Sequence, residues 1–116
     1  MGLEDVAYWK SLINMSVTRF LILRTLRQEP SHGYAILQKV QRFTEGCCTP
    51  THGAIYPVLK ELVEGNYATV RSERVEGRER RVYGLTKKGK QAYETAIEAW
   101  EEVLPFLIEM VVESNQ

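Results

Sequence analysis

The residues with chemistry to offer fall into three groups. Cys47 and Cys48 are adjacent, and His52 follows four positions after the second thiol. Thiols near a helix start can be acidic and nucleophilic, and a Cys/His cluster can bind metal. A structural zinc needs four well-spaced ligands, which are lacking here. A thiol nucleophile needs a base and an orienting group, and the only histidines are His32 and His52. No glycine-rich phosphate loop is present. An enzyme, a metal site and a bound cofactor are therefore not expected, and the thiols read as inert. The second group is basic. Residues 71–90 hold eight Lys and Arg against three glutamates, among them Arg78, Arg80 and Arg81. The third is a run of bulky apolar side chains from Tyr93 to Val111, inside a tail that carries six glutamates and no Lys or Arg.

Composition frames these groups. The 116 residues are 44% hydrophobic and 26% charged with zero formal net charge, the profile of one soluble globular unit. Neighbouring cysteines cannot staple distant segments, so a reducing compartment is expected. No apolar run approaches the roughly 20 residues of a membrane span. The first residues are acidic where an export signal is basic, and Val6 occupies the hydroxyl position of a myristoylation motif. The expectation is a cytoplasmic protein with no membrane partner. The zero balance hides the local field. A basic cluster beside an acidic tail reads as either a solvated hairpin and helix or a nucleic-acid footprint.

The elements that must position these residues follow from period and punctuation. Trp9, Leu12, Ile13, Val17, Phe20 or Leu21, Leu23 and Leu26 recur mostly at three- and four-residue steps, predicting a helix over 6–26 that Glu29-Pro30 stops. Ser31 is expected to cap a second helix with Tyr34, Leu37, Val40 and Phe43 on its apolar side, broken at Gly46-Cys47-Cys48. Thr49-Pro50 reads as a cap and first-turn proline of a third helix reaching Glu64, with Ile55, Val58, Leu59 and Leu62 inward. Pro57 conflicts with that helix because it strands the Gly53 carbonyl. Segments 67–75 and 80–85 are rich in Tyr, Val and Thr and flank Glu76-Gly77, predicting a two-stranded hairpin with charged tips. Thr86 caps a last helix over 87–112.

That helix carries a seam. Tyr93, Ile97, Trp100, Leu104, Leu107 and Val111 step by 4, 3, 4, 3, 4, the 3.5-residue repeat of helix-on-helix packing. A chain this short is not expected to cover the seam alone, so a homodimer interface is preferred to an ordinary core helix. Pro105 interrupts the repeat.

Helix, helix, helix and basic hairpin form the layout of a winged helix-turn-helix. The expected fold is mainly α with a small β-hairpin, divided into a winged-helix unit at 1–86 and a dimerisation helix at 87–116. The third helix suits the major groove of double-stranded DNA, with Thr51 and His52 near its start where base contacts are made. Wing arginines reach the backbone or the minor groove. Strand alternation points Arg80 and Arg81 to opposite faces.

The segment His32-Gly33-Tyr34-Ala35-Ile36 resembles the start of the second helix in the PadR-like family of bacterial transcription regulators. Ala54-Ile55-Tyr56-Pro57-Val58-Leu59-Lys60-Glu61-Leu62 with Gly65 resembles its recognition helix. Gly77-Arg78-Glu79-Arg80-Arg81-Val82-Tyr83, followed by Leu85-Thr86-Lys87-Lys88-Gly89, resembles its wing and the start of its last helix. The likeness extends over about residues 10–113 and implies a homodimeric, usually repressive DNA-binding regulator of a palindromic operator, controlled by small molecules. It implies phosphate contact by Tyr56, with Lys60 one turn on. It also implies that Trp100 faces its twin across the dimer and sandwiches a planar aromatic effector, with Tyr8, Trp9 and Met15 lining the same space. His32 and Tyr34 read as structural, and Gly33 as a site of close helix approach. Where the family often has Gly-Thr-Leu-Tyr, this chain has Gly53-Ala54-Ile55-Tyr56. The alternative is a winged-helix protein-interaction module without DNA binding.

Overall fold

The computed structural model describes residues 2–116. The first helix, α1 (Val6–Gln28), ends as expected: Glu29 is extended at φ −165° and ψ 154° ahead of Pro30. Its burial is uneven. Thr18, Leu21, Ile22, Leu23, Thr25 and Leu26 are buried, whereas Val6, Trp9, Leu12, Ile13 and Met15 are exposed. The apolar series read from sequence therefore meets the core only in its second half, because no other part of this chain covers the first.

Next comes β1 (Ser31–His32), a two-residue strand absent from the sequence reading. Ser31 does not cap the second helix; it pairs with Tyr83, and His32 pairs with Val82. The cap of α2 (Gly33–Phe43) is His32, whose Nδ1 accepts from the Ala35 amide at 3.3 Å. Gly33, Ile36, Leu37 and Val40 are buried. Tyr34, expected inward, is exposed, since the first turn of α2 projects past the core toward His52.

The third helix, α3 (His52–Glu64), starts later than expected. Thr51 is its cap, with Oγ1 accepting from the Ala54 amide at 3.2 Å, so Pro50 lies before the helix rather than in its first turn. Pro57 sits inside α3. The carbonyl it strands belongs to Gly53, an exposed residue, so the lost bond falls on the solvent side of the helix rather than in the core. Ile55, Val58, Leu59 and Leu62 are buried as predicted.

The wing is β2 (Ala68–Val75) and β3 (Arg78–Leu85), antiparallel, joined by Glu76 and Gly77 at φ 50° and 76°. Two successive positive φ values make the tight turn that matches strand twist. The sheet has three strands in the order β1-β3-β2, not two. β1 ties the wing to the start of α2.

Ile22, Ile36, Val40, Ile55 and Leu59 are fully buried where α1, α2 and α3 meet. The last helix, α4 (Lys87–Ser114), is capped by Thr86 Oγ1, which accepts from the Gly89 amide at 3.0 Å. It packs on α1 through Phe20, whose ring stacks on Tyr93 at 5.4 Å and lies 6.0 Å from Trp100. Every residue from Glu101 onward is exposed. Among the described residues no helix is long and apolar enough to cross a membrane.

Candidate nucleic-acid interface

The first half of α3 presents its polar side outward because its inner stripe is Ile55, Val58, Leu59 and Leu62. Thr51, His52, Tyr56 and Lys60 are all exposed, so the four residues picked from sequence share one accessible surface. The His52 ring runs nearly parallel to those of Tyr34, at 6.0 Å, and Tyr56, at 6.4 Å. This ladder joins the first turns of α2 and α3. Lys60 Nζ lies 4.0 Å from Glu64, a loose pairing that leaves it able to swing to an anion. The other edge of α3 is held by Glu61, which accepts two bonds from Arg19 of α1, at 2.6 and 2.9 Å. Those bonds hold the Glu61 carboxyl below the usual carboxylate range.

Tyr56 keeps its place through Gly33. A Cβ on Gly33 would fall 2.7 Å from the Tyr56 hydroxyl and 3.0 Å from its ring. The absent side chain lets the phenol lie across the start of α2, the close approach expected of Gly33.

The wing stands beside this surface. Arg78, Arg80 and Arg81 lie opposite Val75, Glu73 and Ser72. All three border a cleft of about 440 Å³ that also involves His32, Tyr34 and Tyr56. Arg80 reaches farthest toward the helices, with Nη1 3.3 Å from His32 Nε2. Arg81 borders the same cleft although it alternates with Arg80. His32 is held below the ordinary histidine range by burial first, then by the charges of Arg80 and Lys39, with Glu73 opposing them. Sequence reasoning left His32 and Tyr34 out of the site. Their signal was position, just ahead of a recognition helix, but the wing contact depends on β1.

The thiols belong elsewhere. Cys47 is exposed and Cys48 half-buried, and both are free. The hydrogen bond with Cys47 and burial push the Cys48 thiol up, which disfavours the thiolate. Among the described residues no three His, Cys, Asp or Glu side chains cluster as metal ligands.

Trp100 borders a second concavity, an apolar groove of about 570 Å³ between α1 and α4 lined by Val17, Phe20, Cys48, Ile97, Leu104 and Ile108. Tyr8, Trp9 and Met15 do not line it. Trp9 donates to the Leu3 carbonyl at 2.7 Å and meets Tyr8 edge-on, while Met15 borders a separate hollow near Thr51. Of the seam residues, Tyr93 is engaged within the protomer by Phe20 and by the Arg27 guanidinium. Leu104, Leu107 and Val111 are 42%, 47% and 61% exposed.

A reading helix with an open polar face, set beside an arginine-bearing wing, defines a winged helix-turn-helix DNA-binding protein. The chain belongs to the transcriptional regulator PadR-like family, whose profile matches residues 22–95. The transcriptional regulator YqjI of Escherichia coli (strain K12) is 38% identical over 73 residues, covering 63% of this chain and 34% of the relative. That match spans about a third of the relative's length. The Bacillus subtilis PadR structure in complex with operator DNA superposes with a TM-score of 0.65 at 29% identity, over 70% of this chain and 46% of that one. A PadR family regulator from Eggerthella lenta shares the fold at a TM-score of 0.78 and 17% identity, over 91% of each chain.

Proposed function

We propose that this chain works as a homodimeric repressor, reading a palindromic operator and released by a small planar aromatic or hydrophobic effector. The observation that carries the DNA half is the shared exposure of Thr51, His52, Tyr56 and Lys60 beside Arg78, Arg80 and Arg81. Thr51 and His52 at the helix start are suited to base edges, Tyr56 and Lys60 to phosphates, and the wing arginines to backbone or minor groove. The operator complex of the Bacillus subtilis relative supports this reading.

The dimer half rests on surface left uncovered. Leu104, Leu107 and Val111 continue the seam, and Val6, Trp9, Leu12, Ile13 and Met15 expose the start of α1. Two copies joined through α4 and α1 would bury both surfaces and set two α3 helices for half-sites about one helical turn, roughly 34 Å, apart. Tyr93, Ile97 and Trp100 then lie nearer the α1 packing, and the partner's α1 would bring Tyr8, Trp9 and Met15 toward Trp100. A flat guest between Phe20 and Trp100 would shift α4 against α1 and so change the spacing of the reading helices.

In vitro selection from random duplexes should return a palindrome. With about four phosphate contacts per subunit, log affinity should fall against log salt with a slope near −7. Arg80→Ala with Arg81→Ala should flatten that slope by about 3–4. No enriched sequence, or a flat salt response, refutes the DNA half. Planar aromatic ligands should quench tryptophan fluorescence much more in the wild type than in Trp100→Ala, where Trp9 remains. Equal quenching refutes the effector half.

A further inference from the structure

We infer that His32 is itself a DNA-backbone contact, forming with Arg80 a two-pronged clamp on a single operator phosphate. This rests on the DNA-binding reading above and adds a residue that the sequence marked as structural only.

The argument is a count of protons. His32 Nδ1 accepts the Ala35 amide at 3.3 Å as the cap of α2. Its Nε2 faces Arg80 Nη1, also at 3.3 Å. A guanidinium only donates, and a neutral imidazole has a single acceptor nitrogen. The ring cannot accept from both. With the cap made, the proton sits on Nε2, and two donors confront each other with no acceptor between them. Both point along a cleft of about 440 Å³ bordered by Tyr34, Tyr56 and Arg78. An anionic oxygen placed between Nε2–H and Nη1–H satisfies both donors and leaves the cap intact. The surrounding groups suit that guest: Arg78, Arg81, Tyr34 and Tyr56 can all donate, and the one carboxylate on the wall, Glu79, is outnumbered by three arginines. The cleft opens beside the exposed face of α3, which points to a phosphate of the same duplex.

The test uses the selected operator with single methylphosphonate substitutions, which remove one backbone charge and acceptor at a time, and variants of the full chain. His32→Asn keeps an acceptor where Nδ1 stands, because asparagine is a good cap, but lacks the distal donor. His32→Gln keeps a distal donor and loses the cap. His32→Asn should bind the operator about tenfold more weakly or worse and melt as the wild type does. His32→Gln should melt earlier yet bind more tightly than His32→Asn. One methylphosphonate position per half-site should weaken the wild type by a similar factor and leave the His32→Asn, Arg80→Gln double variant unchanged. The two single losses should sum to more than the double loss, because both groups hold one phosphate. Wild-type affinity in His32→Asn, or full additivity with separate sensitive positions, overturns the clamp while leaving DNA binding standing. Competition by inorganic phosphate at constant ionic strength, with no position singled out, would assign the cleft to a free anion and overturn it too. A wild type that binds no duplex overturns both readings.

Discussion

Replacing Leu104 and Leu107 together by serine tests the dimer most directly, because the cost can be worked from exposure. Full burial of a leucine side chain contributes about 1.5–3 kcal/mol. In the protomer these two are 42% and 47% exposed, so a partner has a little under half of each left to cover, about 0.7–1.4 kcal/mol apiece. A two-fold interface counts each residue twice. The double substitution should therefore weaken dimerisation by about 3–6 kcal/mol, or two to four orders of magnitude in the dissociation constant. Sedimentation equilibrium over a dilution series reads that shift. Operator affinity should fall with it, since a monomer holds only one half-site. Glu102→Ser in the same helix turn controls for the helix propensity of serine. An unchanged dimer constant would refute the interface, and an unchanged operator affinity would refute the coupling of dimer to DNA.

Other outcomes follow from single atoms. Gly33→Ala should leave stability unchanged or raise it by up to about 1 kcal/mol, since the new methyl meets the movable end of Tyr56; operator affinity should fall several-fold as the phenol is displaced, and unaltered binding would argue against a phosphate role for Tyr56. Gly89→Ala should behave in the opposite way. Its methyl would lie 2.1 Å from the Tyr67 carbonyl oxygen, which already accepts the Thr86 amide at 3.1 Å, so urea denaturation should show a loss of roughly 1–3 kcal/mol, and no loss would mean the first turn of α4 does not lie against Tyr67. Histidine 32 is held below its ordinary value of about 6.5. Folding therefore favours the neutral ring, and that contribution is complete above pH 6.5 and lost as pH falls through the lowered folded value; His32→Asn should show a flatter stability profile in this window, and parallel profiles would contradict the assignment.

How much was legible depended on how local each signal was. The Glu76-Gly77 turn, the Thr86 cap and the stop before Pro30 are decided within a few residues of chain, and each falls where the sequence reading put it. The choice of Thr51 over Thr49 as cap was not legible, because both threonines precede usable helical residues and only the bond from the Ala54 amide to Thr51 Oγ1 separates them. The wing arginines were legible by charge, and Thr51, His52, Tyr56 and Lys60 by place in the layout. The pairing of Arg80 with His32, 48 positions apart, was not.

By itself, then, the amino-acid order determined the winged-helix layout, the basic wing and the 3.5-residue seam, since periodicity, turn chemistry and charge act between near neighbours. Only the tertiary structure decided that Ser31 and His32 form a third strand, that half of α1 lies bare, and that the imidazole on that strand meets a guanidinium on the wing. Two-residue strands carry almost no propensity of their own; β1 exists because β3 offers it hydrogen bonds across about 50 residues of intervening chain. Burial is likewise a property of what else is nearby, and no window of sequence contains it.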